Sequence, residues 1–220
     1  MDNIVIVGSS GHAKVVIDIV QLEGKYRIAG LLDRTRRVGE QTLGYRVLGQ
    51  EEDLPKLKEV HALHGAFVAI GDNFVRSRAV ALVKEFAPEL PFVRAVHPAA
   101  CLAPGTSIGE GTAIMAGAVV NPCCAIGRHC ILNTHCSLDH DSQMEDFASL
   151  APGATLGGKC RIGSFAAICI GAVLVHDVHI GEHAVIGAGA LVTHSMDPFV
   201  VAYGSPAKTV RTRAPGDKYV

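Results

Sequence analysis

Residues 102–197 read LAPGTS IGEGTA IMAGAV VNPCCA IGRHCI LNTHCS LDHDSQ MEDFAS LAPGAT LGGKCR IGSFAA ICIGAV LVHDVH IGEHAV IGAGAL VTHSMD when the chain is written in sixes. All 16 first positions hold Leu, Ile, Val or Met, and 14 of the 16 fifth positions hold Thr, Ala, Cys or Ser. Neither a helical period nor a two-residue strand alternation produces this register. The repeat predicts one flat wall per hexad, in which a branched side chain fills the interior and the small residue lets the backbone turn the next corner.

The residues before the hexads follow a different pattern, in which short apolar runs alternate with segments of helical spacing. The first run leads into a glycine loop, Gly8-Ser-Ser-Gly11, and the second run ends at Asp33. This order is typical of a small Rossmann-like α/β domain with a parallel sheet. The predicted strands and helices are Ile4–Val7, His12–Glu23, Ile28–Leu32, Phe67–Ile70 and Phe74–Phe86.

Charge marks the boundary between these two patterns. Positions 1–96 hold 25 charged residues and positions 97–220 hold 16. A proline-punctuated segment, Ala87–Pro91, lies just before the change and indicates a linker. We therefore predict an α/β domain over 1–95, a hexad-repeat domain over 96–201 and a capping tail over 202–220.

The overall composition limits the classes of partner. A net charge of −1 disfavours nucleic-acid binding. The mean hydropathy of +0.30 is high, but the longest stretch without Asp, Glu, Lys or Arg, Gly111–Gly127, contains Asn121 and Pro122. A lipid-facing helix would not favour these residues. Since the N-terminus also lacks a signal-peptide pattern, we expect a cytoplasmic protein without a membrane span.

Four of the seven cysteines occupy fifth hexad positions, where a small buried residue is expected. They are Cys124, Cys130, Cys136 and Cys160. The chain contains no C-x-x-C pair. We therefore predict wall residues, with no metal site and no disulfide framework.

One histidine differs from the others in its surroundings. His140 takes a third hexad position between Asp139 and Asp141, in a region otherwise poor in charge. An imidazole beside a carboxylate can act as a general base near neutral pH, although such an acidic stretch can also serve solubility alone. For His129, His179 and His183 we expect ordinary solvated corner residues.

Several motifs together resemble one family. They are Val-Gly-Ser-Ser-Gly-His-Ala-Lys (7–14), Ile-Gly-Asp-Asn (70–73) with Arg76, Asn133 through Asp141, and Gly-Ser-Pro-Ala-Lys (204–208). The combination resembles the sugar O-/N-acyltransferase family of hexapeptide-repeat enzymes. The resemblance implies a left-handed parallel β-helix with three hexads per coil, acetyl-CoA as co-substrate, and a homotrimer with sites between subunits.

The resemblance also implies the roles of particular residues. His140 matches the general base, and Gly158 matches a backbone amide that donates to the acetyl carbonyl oxygen. Asp141 stands where the family often has Glu, so either Asp141 or Asp139 pairs with the imidazole. Asn133 matches a polar side chain near the sugar. Ser149 occupies the position of a second active-site histidine found in some members.

Two binding regions follow from the same resemblance. Coenzyme A is expected at Gly187, Ala188, Gly189 and Lys208. The N-terminal glycine loop lacks the middle glycine of the dinucleotide fingerprint, which disfavours NAD, and the resemblance places a nucleotide-sugar there instead. Its implied contacts are Gly8, Ser10, Gly11, His12, Asp33, Asp72, Asn73 and Arg76, of which Asp33, Asp72 and Arg76 have helix caps or surface ion pairs as alternative roles.

The predicted function is transfer of an acetyl group from acetyl-CoA to the amine of a nucleotide-linked 4-amino-4,6-dideoxy sugar for surface glycan synthesis. The alternative acceptor is a hydroxyl of sialic acid or another sugar. A zinc-dependent lyase on the same fold is a further alternative, because His135 and His140 have the spacing of two zinc ligands. The position expected for the third zinc ligand, however, holds Ala99. The last alternative is a non-catalytic scaffold.

Overall fold

The computed structural model describes residues 1–218, so the last two residues of the predicted 202–220 tail lie outside it. The chain divides into two compact units between Pro98 and Ala99. This division lies three residues after the end of the predicted 1–95 domain.

The N-terminal unit is built on a five-stranded sheet with the order β3-β4-β2-β1-β5. The strands β1, β2, β4 and β5 pair in parallel, and β3 pairs with β4 antiparallel. The apolar face of α1, which includes Val16, Ile17 and Val20, is fully buried. The elements are β1 Asp2–Val7, α1 Gly11–Glu23, β2 Tyr26–Leu32, β3 Gln41–Thr42, β4 Tyr45–Gly49, a 3-10 turn at Glu51–Asp53, α2 Leu54–Val60, β5 Leu63–Val68 and α3 Asn73–Phe86.

Four of these elements, β3, β4, the 3-10 turn and α2, were absent from the sequence interpretation. The predicted strand at Phe67–Ile70 begins earlier, at Leu63, and ends at Val68. The short helix α2 and the β3-β4 hairpin were not predicted. The hairpin turns through Leu43 and Gly44, both at positive φ, which is the geometry of a two-residue hairpin loop. The usual sequence signal for that loop, Asn-Gly or Asp-Gly, is missing here.

The hexads form two-residue strands made of a sixth position and the next first position. After β6, Ala95–Val96, these strands are β7 Cys101–Leu102, β8 Ser107–Ile108, β9 Ala113–Ile114, β10 Val119–Val120, β11 Ala125–Ile126, β12 Ile131–Leu132, β13 Ser137–Leu138, β14 Gln143–Met144, β15 Ser149–Leu150, β16 Thr155–Leu156, β17 Arg161–Ile162, β18 Ala167–Ile168, β19 Val173–Leu174, β20 His179–Ile180, β21 Val185–Ile186 and β22 Leu191–Val192.

Each strand from β7 to β19 pairs in parallel with the strand three further along. Val119 lies opposite Ser137, and Ser137 lies opposite Thr155. Three hexads therefore make one coil, and three parallel sheets form the walls of the helix. After the last hexad, β23 (Val200–Gly204) pairs with β21 and extends one wall, and β24 (Ala207–Thr212) returns antiparallel beside it.

The corners of the coil lie at the third and fourth hexad positions. The fourth residue has a positive φ in every hexad except the last, where it is Ser195. Nine of these residues carry side chains, among them Asp141, Phe147 and Lys159. From the second hexad onward, the fifth residue lies buried just inside the corner. The sequence interpretation that the fifth residue makes the turn is therefore incomplete, because the left-handed fourth residue redirects the backbone.

One corner carries a continuous column of rings. His129, Phe147, Phe165 and His183 take fourth positions in successive coils, and their ring centroids stack at 5.1, 5.1 and 4.5 Å. Phe199 continues the column at 5.0 Å. His129 and His183 are 4% and 9% exposed. The expectation of solvated corner histidines is therefore wrong at both positions, since stacking between successive coils buries the rings.

The wall cysteines behave as the hexad pattern predicts. Cys130, Cys136 and Cys160 are fully buried and Cys124 nearly so, and all four carry thiols rather than disulfides. Burial raises the pKa of Cys136 to about 12. No helix within residues 1–218 has the length and apolar character needed to cross a bilayer.

Gly111→Ala tests the ring column. A Cβ at Gly111 would lie 2.0 Å from His129 Nδ1, whereas one at Gly171 meets no heavy atom within 4 Å, and both glycines have positive φ. We expect Gly171→Ala to lower the free energy of unfolding by about 1 kcal/mol through backbone strain. Gly111→Ala should lower the free energy of unfolding by about 1–3 kcal/mol more than Gly171→Ala does, because the His129 ring must move. Equal losses in urea unfolding would contradict this packing.

His183→Phe tests the acid sensitivity of the same column. Burial, aided by Arg213 and opposed by Glu182, lowers the pKa of His183 below its ordinary value of 6.5. The unfolded chain therefore takes up a proton first as pH falls, so the stability contributed by the neutral ring is complete above 6.5 and decreases below it. We expect the variant to lose less thermal stability than wild type between about pH 8 and pH 5. An unchanged pH dependence would refute the effect, and exposed His179→Phe is the control.

Candidate active site

The turn between β13 and β14 presents an imidazole and a carboxylate side by side. His140 Nδ1 lies 2.8 Å from Asp141 Oδ2, and both side chains are about half exposed. Because the carboxylate accepts a hydrogen bond, the proton of the neutral imidazole resides on Nδ1. Nε2 is then left with its lone pair as the basic atom of the pair.

Asp139 has a different set of contacts. Its Oδ1 accepts a hydrogen bond from Asn121 Nδ2 at 2.6 Å and from the backbone N–H of His140 at 2.8 Å. The hydrogen bond from Asn121, followed by the one from the His140 amide, lowers the pKa of Asp139. The ring partner of His140 is therefore Asp141, and Asp139 holds the backbone of the turn.

Gly158 lies against the imidazole, one coil further along the chain. A Cβ at this position would stand 2.7 Å from both Cε1 and Nε2 of His140, so the ring occupies space that any side chain would need. Within residues 1–218 the Gly158 N–H donates to no protein acceptor, whereas the amides of Gly157 and Lys159 bond to neighbouring coils. The basic ring atom and an unused amide thus lie together.

These groups open onto a cleft of about 340 Å³ lined by Asp139, His140, Gly157, Gly158, Lys159 and His176. A second cleft of about 440 Å³ lies beside it and shares Lys159. The sequence already places His140, Gly158 and His176 at third positions 18 residues apart, in one predicted column. It gives no comparable signal for Lys159, which follows the glycine directly.

The other predicted groups of the β-helix lie at a different corner of the same chain. Ala188 is a third-position residue, and its neighbours in the preceding coils are Ile170 and Pro152 rather than Gly158. Asn133 lies one hexad before the His140 turn, where its Oδ1 accepts the Thr134 amide at 2.8 Å. Within one chain, the structure therefore does not bring these residues to His140.

Part of the predicted coenzyme A set is already engaged in the coils. The Gly187 N–H donates to Ala202 O and the Gly189 N–H to Ile170 O, both at 2.8 Å. Ala188 is exposed between them, and Lys208 is exposed on β24. The amides of the two glycines are thus used by the fold, and Ala188 and Lys208 remain accessible.

In the N-terminal unit, the glycine loop connects β1 with α1. Gly8 has φ +103°, and a Cβ there would lie 2.8 Å from Ala69 O. Ser9, which sequence interpretation missed, donates from Oγ to Asp33 Oδ2 at 2.5 Å. Burial would raise the pKa of Asp33, but hydrogen bonds from Ser9, Thr35 and Arg36 outweigh it and lower the pKa. Ser10 and Gly11 are exposed at the first turn of α1.

The second half of the predicted nucleotide-sugar set is tied into the loop before α3. Asp72 Oδ1 accepts the Val75 amide at 2.8 Å and so caps the helix. Arg76 is 1% exposed and donates to Ile70 O, Gly71 O and Asn73 Oδ1. Asp72 therefore has the helix-cap role given as its alternative, whereas Arg76 is a buried donor to the loop rather than a surface residue.

His12 presents a neutral ring close to Arg76. Its Nε2 is buried and makes no hydrogen bond with the described chain. Burial, with a smaller contribution from Arg76, lowers the pKa of His12 to about 4. The ring therefore offers a nitrogen that a ligand's polar group can satisfy.

Within residues 1–218, no group of three or more His, Cys, Asp or Glu side chains is arranged to hold a metal ion. His135 and His140, the pair with zinc-like spacing, lie in successive turns of the coil.

Comparisons with known proteins join the two units to one family. Residues 3–83 match the PglD N-terminal domain, and residues 105–140 and 159–194 match the bacterial transferase hexapeptide repeat. PerB from Caulobacter crescentus, solved in complex with CoA and GDP-perosamine, is 35% identical with a TM-score of 0.89, over 95% of this chain and 97% of that chain. The chain belongs to the hexapeptide-repeat sugar N-acyltransferases.

Other solved structures agree. A mutant of GDP-perosamine N-acetyl transferase from Caulobacter crescentus is 34% identical with a TM-score of 0.90, over 95% of this chain and 97% of that chain. The acetyltransferase domain of PglB from Neisseria gonorrhoeae, in complex with acetyl coenzyme A, is 28% identical with a TM-score of 0.86, over 94% and 98%. A search of curated protein sequences gave no match.

This membership confirms the predicted fold class, an α/β domain followed by a left-handed parallel β-helix, and the prediction of a CoA-dependent acyltransferase. It also favours acyl transfer over the zinc-dependent lyase and over a scaffold without activity.

The ring of His12 provides a test of the N-terminal unit. We expect its NMR signals to titrate near pH 4, because burial opposes the charged form. The neutral ring then stabilises the fold fully above pH 6.5, and this contribution is lost as pH falls toward 4. A midpoint near 6.5 would contradict the observed burial.

Proposed function

We propose that this enzyme transfers an acetyl group from acetyl-CoA to the amino group of a nucleotide-linked 4-amino-4,6-dideoxy sugar. The observation that carries the proposal is the position of His140 Nε2 over Gly158, 2.7 Å from where a Cβ would be, beside a Gly158 amide that donates to no acceptor within residues 1–218. A base and an oxyanion donor are the two groups that direct aminolysis of a thioester needs. The perosamine and PglB relatives support an amino-sugar acceptor.

In the proposed mechanism, Asp141 holds the proton on Nδ1 and leaves Nε2 as the base. Nε2 removes a proton from the amine as the amine nitrogen bonds to the thioester carbonyl carbon. The Gly158 N–H donates to the oxyanion that forms, a contribution of about 2.7–4 kcal/mol in comparable sites. When the C–S bond breaks, the imidazolium returns its proton to the departing thiolate of CoA.

The transfer is direct, in a ternary complex without an acyl-enzyme. Three of the four wall thiols support this, because burial raises the pKa of Cys136 to about 12 and also raises the pKa values of Cys160 and Cys124. A buried thiol with a raised pKa is a poor nucleophile.

The nucleotide-sugar binds the N-terminal unit in this proposal. The exposed first turn of α1, at Ser10 and Gly11, offers backbone N–H groups to a phosphate, and the unsatisfied Nε2 of His12 lies one residue further on. Asp33, Asp72 and Asn73 shape the surrounding loops, and Arg76 braces them from within.

A homotrimer completes the site in this proposal. Asn133, Ala188 and Lys208 do not reach His140 within one chain, so the same residues of a second copy are assigned to the sugar and to coenzyme A. The Lys208 ammonium is suited to a CoA phosphate. We also propose a role in surface polysaccharide synthesis. We assign the protein to the cytoplasm, where acetyl-CoA is available.

A panel of acceptors tests the function. Purified protein, acetyl-CoA and each of several UDP-, dTDP- and GDP-linked amino sugars are mixed, and thiol release is followed. We expect release with one class of 4-amino sugar, and mass spectrometry should show the amide. Activity with sialic acid alone would overturn N-transfer while leaving acetyl transfer intact. If none of the acceptors gave thiol release, the proposed function would be overturned.

Gly158→Ala tests the central contact. The new Cβ would stand 2.7 Å from His140 Nε2, so the ring must leave its place beside the amide. We expect kcat to fall about 100-fold or more, because the displaced imidazole no longer holds its position beside the amide. Gly171→Ala, with open space around its Cβ, should retain wild-type kcat. Near-normal turnover by Gly158→Ala would contradict the proposed placement of the base against Gly158.

A further inference from the structure

The turn that carries His140 is held from the preceding coil by a side chain to which the proposed mechanism gives no task. Asn121 lies 18 residues before Asp139 and donates to its Oδ1 at 2.6 Å. The same oxygen accepts the backbone N–H of His140 at 2.8 Å. One carboxylate oxygen thus links the amide of Asn121 to the backbone of the base.

Asp139 can hold the backbone of the turn because the hydrogen bond to the imidazole is made by a different carboxylate. The ring contact belongs to Asp141, at 2.8 Å from Nδ1. The lowered pKa of Asp139, caused first by Asn121 and then by the His140 amide, keeps the carboxylate charged. Hydrogen bonds to a charged acceptor are stronger than those between neutral groups.

The position of the ring tolerates little movement. Nε2 and Cε1 of His140 occupy the space above Gly158, 2.7 Å from where a Cβ would be. His140 is itself about half exposed, so side-chain packing alone does not fix it. A displacement of about 1 Å from productive geometry costs about 100-fold in rate. A brace on its backbone is the restraint that the structure supplies.

We propose that Asn121 and Asp139 are positioning residues for acetyl transfer, in which Asn121 fixes the Asp139 carboxylate and that carboxylate fixes the backbone of His140 beside Gly158. The proposal rests on the assignment of His140 as the base. It assigns no substrate contact to Asn121.

The fold does not need this pair. The backbone N–H of Asn121 donates to Leu138 O at 3.0 Å as part of the repeating backbone ladder, independently of its side chain. Another corner carries a comparable contact between coils, where Ser164 Oγ donates to Glu145 Oε2 at 2.9 Å. Ser164→Ala therefore removes a hydrogen bond of the same kind away from His140, and serves as the matched control.

The test is a double-mutant cycle on steady-state kinetics. Asn121→Ala and Asp139→Asn should each lower kcat about tenfold to 100-fold, with KM for acetyl-CoA and acceptor changed by less than about twofold. The double variant should be no slower than the slower single variant, because Asn121 acts through Asp139. The isosteric variant Asn121→Asp should lower kcat more than Asn121→Ala does, since it places two carboxylates in contact. Ser164→Ala should keep wild-type kcat.

Several results would overturn the inference. They are wild-type kcat in Asn121→Ala, additive losses in the double variant, or losses matched by Ser164→Ala. Hydrogen exchange of the His140 backbone amide is a measurement that needs no sugar substrate. The exchange should accelerate in Asn121→Ala and Asp139→Asn, and unchanged protection in both variants would refute the brace. If wild type acetylates no acceptor, the proposed function fails, and the exchange data still decide whether the brace exists.

Discussion

The parallel pairing of each residue with the residue 18 positions later is the constraint on which the β-helix depends. It turns distance along the chain into adjacency in space, so that groups too far apart to meet in a helix or hairpin lie one strand spacing from each other. Asn121 meets Asp139, and His140 meets Gly158, for this single reason. The chemistry of the site is therefore a property of coil stacking.

The corners show how the same constraint is used for both stability and function. A left-handed fourth residue turns the backbone, and side chains at these positions project as columns. One column is a stack of His and Phe rings that buries two histidines. Another presents Asp141 and Lys159, of which Asp141 orients the imidazole. Identical backbone geometry thus supports a hydrophobic seam at one corner and a polar cleft at another.

The coil was predictable from the sequence, and His140 stands out as the candidate base, because both have local signals. Aliphatic first positions and small fifth positions state the period directly, and His140 stands out between two acids. The choice of Asp141 over Asp139 did not follow from spacing, because it depends on which carboxylate Asn121 engages across the coil boundary. The buried His129 and His183 were missed for a similar reason, since their ring partners lie 18 residues away. In the N-terminal unit, the Leu43-Gly44 hairpin lacked its usual turn residues.

The single-turnover rate of acetyl transfer by His140→Ala, at saturating concentrations of both substrates, tests the account most directly. Because the base acts only when the proton leaves the amine, we predict a loss of at least about 100-fold in rate. Thermal unfolding and coenzyme A binding should match wild type, since the side chain is half exposed. A rate within about threefold of wild type would contradict the assignment of His140 as the base.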